Sequence, residues 1–245
     1  MMTETEKHEH FKVGQDLLLD KPTTWTSFDV VNYIRHIVSP KGFKTKVGHA
    51  GTLDPLASGL LIVCTGKNTK TIEGFAVQEK TYTGIILIGQ STPSFDLETD
   101  IDQTFETAHI TDADIHATAL QFMGTTLQQA PIFSARRQDG ERLYHKARRG
   151  EEVEIKSSEI TITQFDIPTI TRADNLIQVA FEITCSKGTY IRSIANDFGK
   201  KLNSGSYLHA LRRTKIGNYN VNDALTLPQF KAEFSTKPSI TKNIE

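Results

Sequence analysis

The sequence is poor in the groups that announce metal or redox chemistry. It has two cysteines, Cys64 and Cys185, each in an apolar run and without metal-type spacing. That argues against a thiolate metal site or a disulfide framework and predicts buried, reduced thiols in a cytoplasmic protein. No apolar run nears the roughly 20 residues of a membrane-spanning helix. Met1 to His10 is polar and lacks the apolar stretch of a signal peptide. No P-loop or Rossmann glycine pattern is present. A strong net charge is missing too: the balance is −1 over 245 residues. A chain of this length can bury a large core as one domain, and its ordinary composition argues against overall disorder.

What is present is segregated charge. Pro93 to Asp114 carries seven acidic residues and no Lys or Arg, whereas Pro131 to Gly150 nets +4 and Cys185 to Lys215 nets +6. Such segments either balance one another as solvated faces or build a basic face on a neutral protein. The pattern of elements is irregular. Met1 to Phe11 reads as a loose tail and Asp16 to Lys21 as a strand. Thr26 and Asp29 form a capping box for a helix with Val30, Val31, Ile34, Ile37 and Val38 at helical spacing. Leu60 to Thr65 and Lys80 to Gly89 read as buried strands, and Lys67 to Ala76 as a short helix. Thr111 caps a helix ending at Gly124, and Glu141 to Arg149 has helical composition. Val153 to Ile170 and Asn175 to Cys185 read as an antiparallel pair. Thr189 to Leu202 reads as a helix and Ser206 to Ile216 as a strand. Without a βαβ rhythm, this favours an α+β fold with a mixed, mostly antiparallel central sheet flanked by helices and loops.

One stretch stands out, Gly48-His49-Ala50-Gly51-Thr52-Leu53-Asp54-Pro55-Leu56-Ala57-Ser58-Gly59. Its glycines permit backbone angles closed to other residues, and Pro55 fixes the turn after Asp54. The sequence thus presents a carboxylate on a rigid loop with a strand behind it. Three further features can act with it: Lys80-Thr81-Tyr82, the Cys185 to Ser193 strand–turn–helix junction with Tyr190 and Arg192, and the Arg-rich segment Ala135 to Gly150. A carboxylate with an arginine partner and aromatic rings suits a flat polar ring as substrate. The carboxylate can serve as nucleophile or general base. Taken singly, the tyrosines can equally be core rings and Arg192 a surface ion pair.

The Gly48–Gly59 stretch resembles the catalytic motif of the TruB-type tRNA pseudouridine-55 synthases. Leu18-Leu19-Asp20-Lys21-Pro22, Lys80-Thr81-Tyr82, Cys185 to Arg192 and Leu211-Arg212-Arg213 resemble the family's other blocks in the same order. The resemblance runs from about Asp16 to Leu227. It implies a pseudouridine-synthase fold and isomerisation of uridine 55 in the tRNA T-arm by base flipping, without a cofactor or metal. It assigns Asp54 as the catalytic aspartate and Arg192 as its arginine partner. Tyr82 becomes the ring stacked on the flipped base and a candidate in proton transfer. Tyr190 and Leu211 line the pocket, Lys21 lies near it, and His49 holds the extruded RNA conformation. Phosphates of the T-arm would be gripped by Arg136, Arg137, Arg142, Lys146, Arg148, Arg149, Arg212 and Arg213. The implied layout is a flexible tail over 1–10, a catalytic domain over 11–230 with a basic RNA-gripping insert at 131–150, and a C-terminal tail over 231–245. A monomer is expected, without the RNA-binding PUA domain of many relatives, and no RNA contact is assigned to Ser91–Asp96. A non-catalytic tRNA-folding chaperone is the alternative. A one-carboxylate glycosidase is disfavoured for want of a second catalytic carboxylate motif.

Overall fold

The computed structural model describes residues 3–39, 42–131, 137–138, 141–142 and 157–234. They fall into two compact units, Met1–Val77 with Asn218–Glu245, and Gln78–Gly217. The first unit begins with helix α1 (Glu4–Val13), strand β1 (Asp16–Lys21), helix α2 (Ser27–Val38), strands β2 (Val47–Ala50) and β3 (Ser58–Thr65), and helix α3 (Ile72–Ala76). The second unit holds β4 (Lys80–Ile88), α4 (Asp112–Leu120), β5 (Gly124–Gln128), β6 (Ser158–Ala173), β7 (Leu176–Cys185), α5 (Ile191–Lys201) and β8 (Ser206–Ile216). The chain completes the first unit with β9 (Leu225–Thr226) and α6 (Leu227–Phe234).

In the first unit β1 pairs antiparallel with β3, from Asp16↔Cys64 to Lys21↔Gly59, and parallel with β9 at Leu19↔Leu225. β2 pairs antiparallel with β3, from Val47↔Thr65 to Ala50↔Ile62. Strand alternation puts Leu19, Leu61 and Val63 on one face. Phe11 of α1, Val30, Ile34 and Val38 of α2, and Leu227 and Phe230 of α6 bury that face as one cluster. α2 starts where the capping box places it: Thr26 Oγ1 accepts from Asp29 N at 3.0 Å, and Asp29 Oδ2 accepts from Thr26 N at 2.9 Å.

The N-terminal stretch corrects the loose-tail reading. α1 has its own capping box on Thr3 and Glu6, and Lys7, His8 and Phe11 are buried. The polar composition hid a helix that sends Phe11 into the core. Likewise Leu227–Phe234 is helical, so the last turn of α6 extends into the stretch expected as a C-terminal tail. Lys67 to Ala76 divides into a 3₁₀ turn, Gly66–Lys70, and α3.

The second unit is an antiparallel ladder in the order β8-β4-β7-β6-β5. The turn between β6 and β7 places Asp174 and Asn175 at φ 49° and 62°, as the tightest hairpin turns require. Phe122, Phe165, Phe181 and Phe198 pack as a ring cluster with centroids 5.8–6.3 Å apart. β4 and β8 approach closely at Gly84, where a Cβ would lie 2.3 Å from Ala210 O. β8 is irregular between Leu208 and Ala210 and again between Arg213 and Lys215. Within the 131–150 segment, Arg137–Gln138 pairs with Glu141–Arg142 as a short antiparallel ladder, so the expected helix does not start at Glu141. With one parallel pairing among these ladders, the sheet structure is mixed and mostly antiparallel, as expected.

Candidate active site

In the first unit Asp54 lies half-buried on the loop between β2 and β3. The loop turns at Pro55, with Ala57 N donating to Asp54 O at 3.1 Å. Gly51 and Gly59 take φ of 88° and 107°, angles that favour glycine. Gly48 lets the Ile72 side chain pack against β2: a Cβ there would lie 2.7 Å from Ile72 Cδ1, and that methyl would have to move. The segment between β1 and α2 fastens the loop from outside. Thr24 N donates to Pro55 O at 2.8 Å. Ser27 Oγ accepts from Leu53 N at 2.8 Å and donates to Leu53 O at 3.0 Å. Lys21 is 0% exposed, and its Nζ donates to the carbonyls of Trp25 (2.6 Å), Pro22 (2.9 Å) and Pro55 (3.3 Å). Lys21 is therefore a fastening residue of the Asp54 loop, buried too deeply to touch substrate itself. His49 sits on β2 opposite Val63, half-buried.

In the second unit Tyr82 is 8% exposed on β4, opposite Ile183 of β7 and Arg213 of β8. Tyr190 is the N-cap of α5. The Gln128 side chain holds its backbone at both ends, accepting from Tyr190 N at 2.8 Å and donating to Tyr190 O at 3.0 Å. Arg192, in the first turn of α5, is 4% exposed. Its Nε lies 3.6 Å from Asp96 Oδ2, and its Nη1 donates to Ser94 O at 3.5 Å. Asp96 is itself buried, and its Oδ1 accepts from Glu98 N at 3.0 Å. The loop bearing it is anchored to β8, with Leu208 N donating to Phe95 O at 2.9 Å. Asp96 is the functional candidate that sequence reasoning missed, because it lay among exposed acids. The signal available was its place in Thr92-Pro93-Ser94-Phe95-Asp96, where it is the one acid and follows a proline and an aromatic ring.

Leu211 and Arg212 are half-buried on β8 opposite Gly84 and Thr83. Arg213 is 1% exposed, which removes it from the phosphate-gripping set. Adjacent residues of a strand point to opposite faces, so Arg212 and Arg213 cannot share one role. Lys80, also buried, donates to Gln78 O at 2.6 Å. Burial, with the Arg213 charge adding to it, brings the Lys80 pKa down to about 8. Arg136, Lys146, Arg148 and Arg149 lie outside the described residues, and Arg137 and Arg142 are described only as members of the short ladder. Burial pushes the Cys64 thiol up to about 12 and the Cys185 thiol to about 11, so neither is a ready nucleophile. Among the described residues no group of three or more His, Cys, Asp or Glu could hold a metal ion, and no helix is long and apolar enough to cross a membrane.

The family model described as TruB family pseudouridylate synthase, N-terminal domain, matches residues 35–191. The tRNA pseudouridine synthase B of Flavobacterium johnsoniae is 53% identical over 228 residues, covering 91% of this chain and 97% of that one. The chain belongs to the TruB family of pseudouridylate synthases. Its relative of the same name in Chloroherpeton thalassium is 49% identical over 215 residues, covering 87% of this chain and 88% of the other. A protein chain in a solved structure of an H/ACA RNP bound to a substrate RNA containing 2′-deoxyuridine superposes with a TM-score of 0.64. That chain is 22% identical, and the match covers 92% of the present chain but 55% of the other, so the likeness concerns the fold alone. The TruB model spans His49, Asp54, Tyr82 and Tyr190 and stops one residue before Arg192, leaving Lys21, Asp29 and Leu211 outside it.

Proposed function

We propose that this TruB-family chain converts uridine to pseudouridine in tRNA, acting at position 55 of the T-arm. The observation that carries this reading is the 53% identity to a tRNA pseudouridine synthase B over 97% of its length. The reaction breaks the C1′–N1 bond, forms a C1′–C5 bond, releases the proton of C5 and returns one to N1. It is an isomerisation and consumes no co-reactant. Asp54 supplies the carboxylate that assists rupture of the glycosidic bond. A loop fixed before substrate arrives keeps that carboxylate in position without reorganisation at the moment of reaction. The target base lies within a folded RNA loop and has to be extruded, which costs roughly a few kcal/mol of lost stacking. Tyr82, Tyr190 and Leu211 restore apolar and aromatic contact to the extruded base, His49 holds the opened RNA, and Arg212 with the arginines of the 131–150 segment meets phosphates.

The test is Asp54→Asn, assayed for pseudouridine in unmodified tRNA by mass spectrometry. Turnover is expected to fall below detection while RNA binding and the melting temperature persist. Near-wild-type turnover would overturn the assignment of Asp54, and free uracil as the product would replace the isomerase by a hydrolase.

A further inference from the structure

The first unit carries an exposed surface that none of these roles uses. Phe28, the second residue of α2, is 59% exposed although it is a large aromatic side chain. Residues three to four apart share a helix face, so Phe28, Asn32 and Arg35 form one stripe on α2. Arg35 orders the stripe. Its guanidinium carbon lies 5.9 Å from the Phe28 ring centroid, its Nη1 donates to Asn32 Oδ1 at 2.7 Å, and its Nη2 donates to Val47 O at 3.4 Å. The stripe is thereby joined to β2, the strand that carries His49, two residues beyond Val47. At its other end, Ser27 precedes Phe28 and is bonded to Leu53, the neighbour of Asp54.

The charge of the sequence between this face and the Asp54 loop is one-sided. Between Asp29 and Asp54 the sequence has no acidic residue, while Arg35, Lys44 and Lys46 fall in that interval. Asp29 itself is turned to the helix start, where its carboxylate accepts from Thr26 N and Thr26 Oγ1. Lys44 and Lys46 are exposed on either side of buried Thr45, which donates to Val38 O at 3.3 Å and so ties their segment to the C-terminal end of α2. An exposed aromatic ring held by an arginine, with lysines beyond that arginine towards the far end of α2 and with Ser27 linking the ring's end to the Asp54 loop, is the chemistry that binds an unpaired nucleotide with its backbone.

We infer that the Phe28–Asn32–Arg35 face of α2 is a further RNA-contact surface of this enzyme, where Phe28 stacks a base of the substrate RNA and Arg35 meets a phosphate. This rests on the tRNA reading above and adds a positioning site to it. Lys44 and Lys46 raise the local positive potential that draws the backbone in.

The experiment compares Phe28→Ala, Phe28→Leu, Phe28→Trp and Arg35→Gln with the wild type on an unmodified tRNA transcript, measuring kcat, KM, binding against salt, and melting temperature. Phe28→Ala is expected to raise KM about tenfold with kcat within about twofold, the size of one lost base–aromatic stack. Phe28→Trp should hold KM near the wild-type value, and Phe28→Leu should behave like alanine. Arg35→Gln should make the slope of log binding against log salt shallower by about one. An unchanged KM in Phe28→Ala overturns the proposal, and so does full rescue by leucine, which would mean packing without stacking. A wild type that binds the transcript yet leaves its uridines unaltered would sink the functional reading instead, with the binding comparison still deciding the role of Phe28.

Discussion

Asp54 sits on a loop fastened through backbone atoms, whereas Arg192 is fastened through its own charged side chain. The bonds from Thr24, Ser27 and Lys21 end on Leu53 and Pro55, and none of them uses the Asp54 carboxylate. Arg192 is instead buried against Asp96, a second charge that is buried with it. The two arrangements imply different penalties for substitution. A residue presented by a scaffold can change without unfolding the scaffold. A residue that is half of a buried charge pair cannot lose that partner cheaply, because its own charge stays inside with less to offset it.

The sharpest way to break this contrast is Asp96→Asn. The amide keeps the shape and the acceptor for Glu98 N but removes the charge facing Arg192. Removal of one partner from a buried pair costs about 3 kcal/mol, which for a chain of this size lowers the melting temperature by roughly 6–12 °C. Differential scanning calorimetry of Asp96→Asn beside Asp54→Asn measures it. Equal, small shifts in both variants would erase the distinction between a scaffolded and a paired residue.

Lys21→Met tests the other half of the comparison. Methionine keeps most of the apolar stem and removes the ammonium that serves three carbonyls. The loss of these bonds in a buried place costs about 2 kcal/mol, less than the Asp96 change. The kinetic signature is the sharper readout, since a loosened Asp54 loop lowers kcat while KM for tRNA stays near the wild-type value. A variant with normal kcat and a lowered melting temperature would make Lys21 a stability residue with no bearing on Asp54.

The sequence made one side of this contrast far more legible than the other. Glycines and a proline around one aspartate declare a fixed loop, and Thr26 with Asp29 declares the start of α2, because these are short-range constraints written in adjacent residues. The partnership of Arg192 and Asp96 joins positions far apart in the chain, and no local pattern separates Asp96 from its exposed acidic neighbours. Arg213 shows a signal that was present but not used. A strand that leaves Arg212 half-buried on one face turns Arg213 to the opposite one, and the irregularity before Lys215 lets both Arg213 and Ile216 be buried. α1 was hidden for the opposite reason: its core contribution rests on Phe11, too little apolar patterning to betray a helix.

Lys80 offers the smallest effect and the finest test of how the second unit tolerates buried charge. Its pKa falls from 10.5 to about 8, through burial first and the Arg213 charge next. In the unfolded chain the ammonium keeps its proton up to about 10.5, whereas the folded protein releases it from about pH 8. Between those values the unfolded state binds more protons, so this group adds stability as pH rises, and the gain is lost again as pH falls through about 8. From pH 8 to pH 9 the contribution is about 1 kcal/mol. Lys80→Met lacks it, and the comparison cancels the other titrating groups. Denaturant unfolding of both proteins across pH 7 to 10 should show the wild type gaining on the variant above pH 8. A constant difference over that range would mean that Lys80 stays charged inside, so that the second unit holds Lys80 and Arg213 as buried cations at once without shedding a proton.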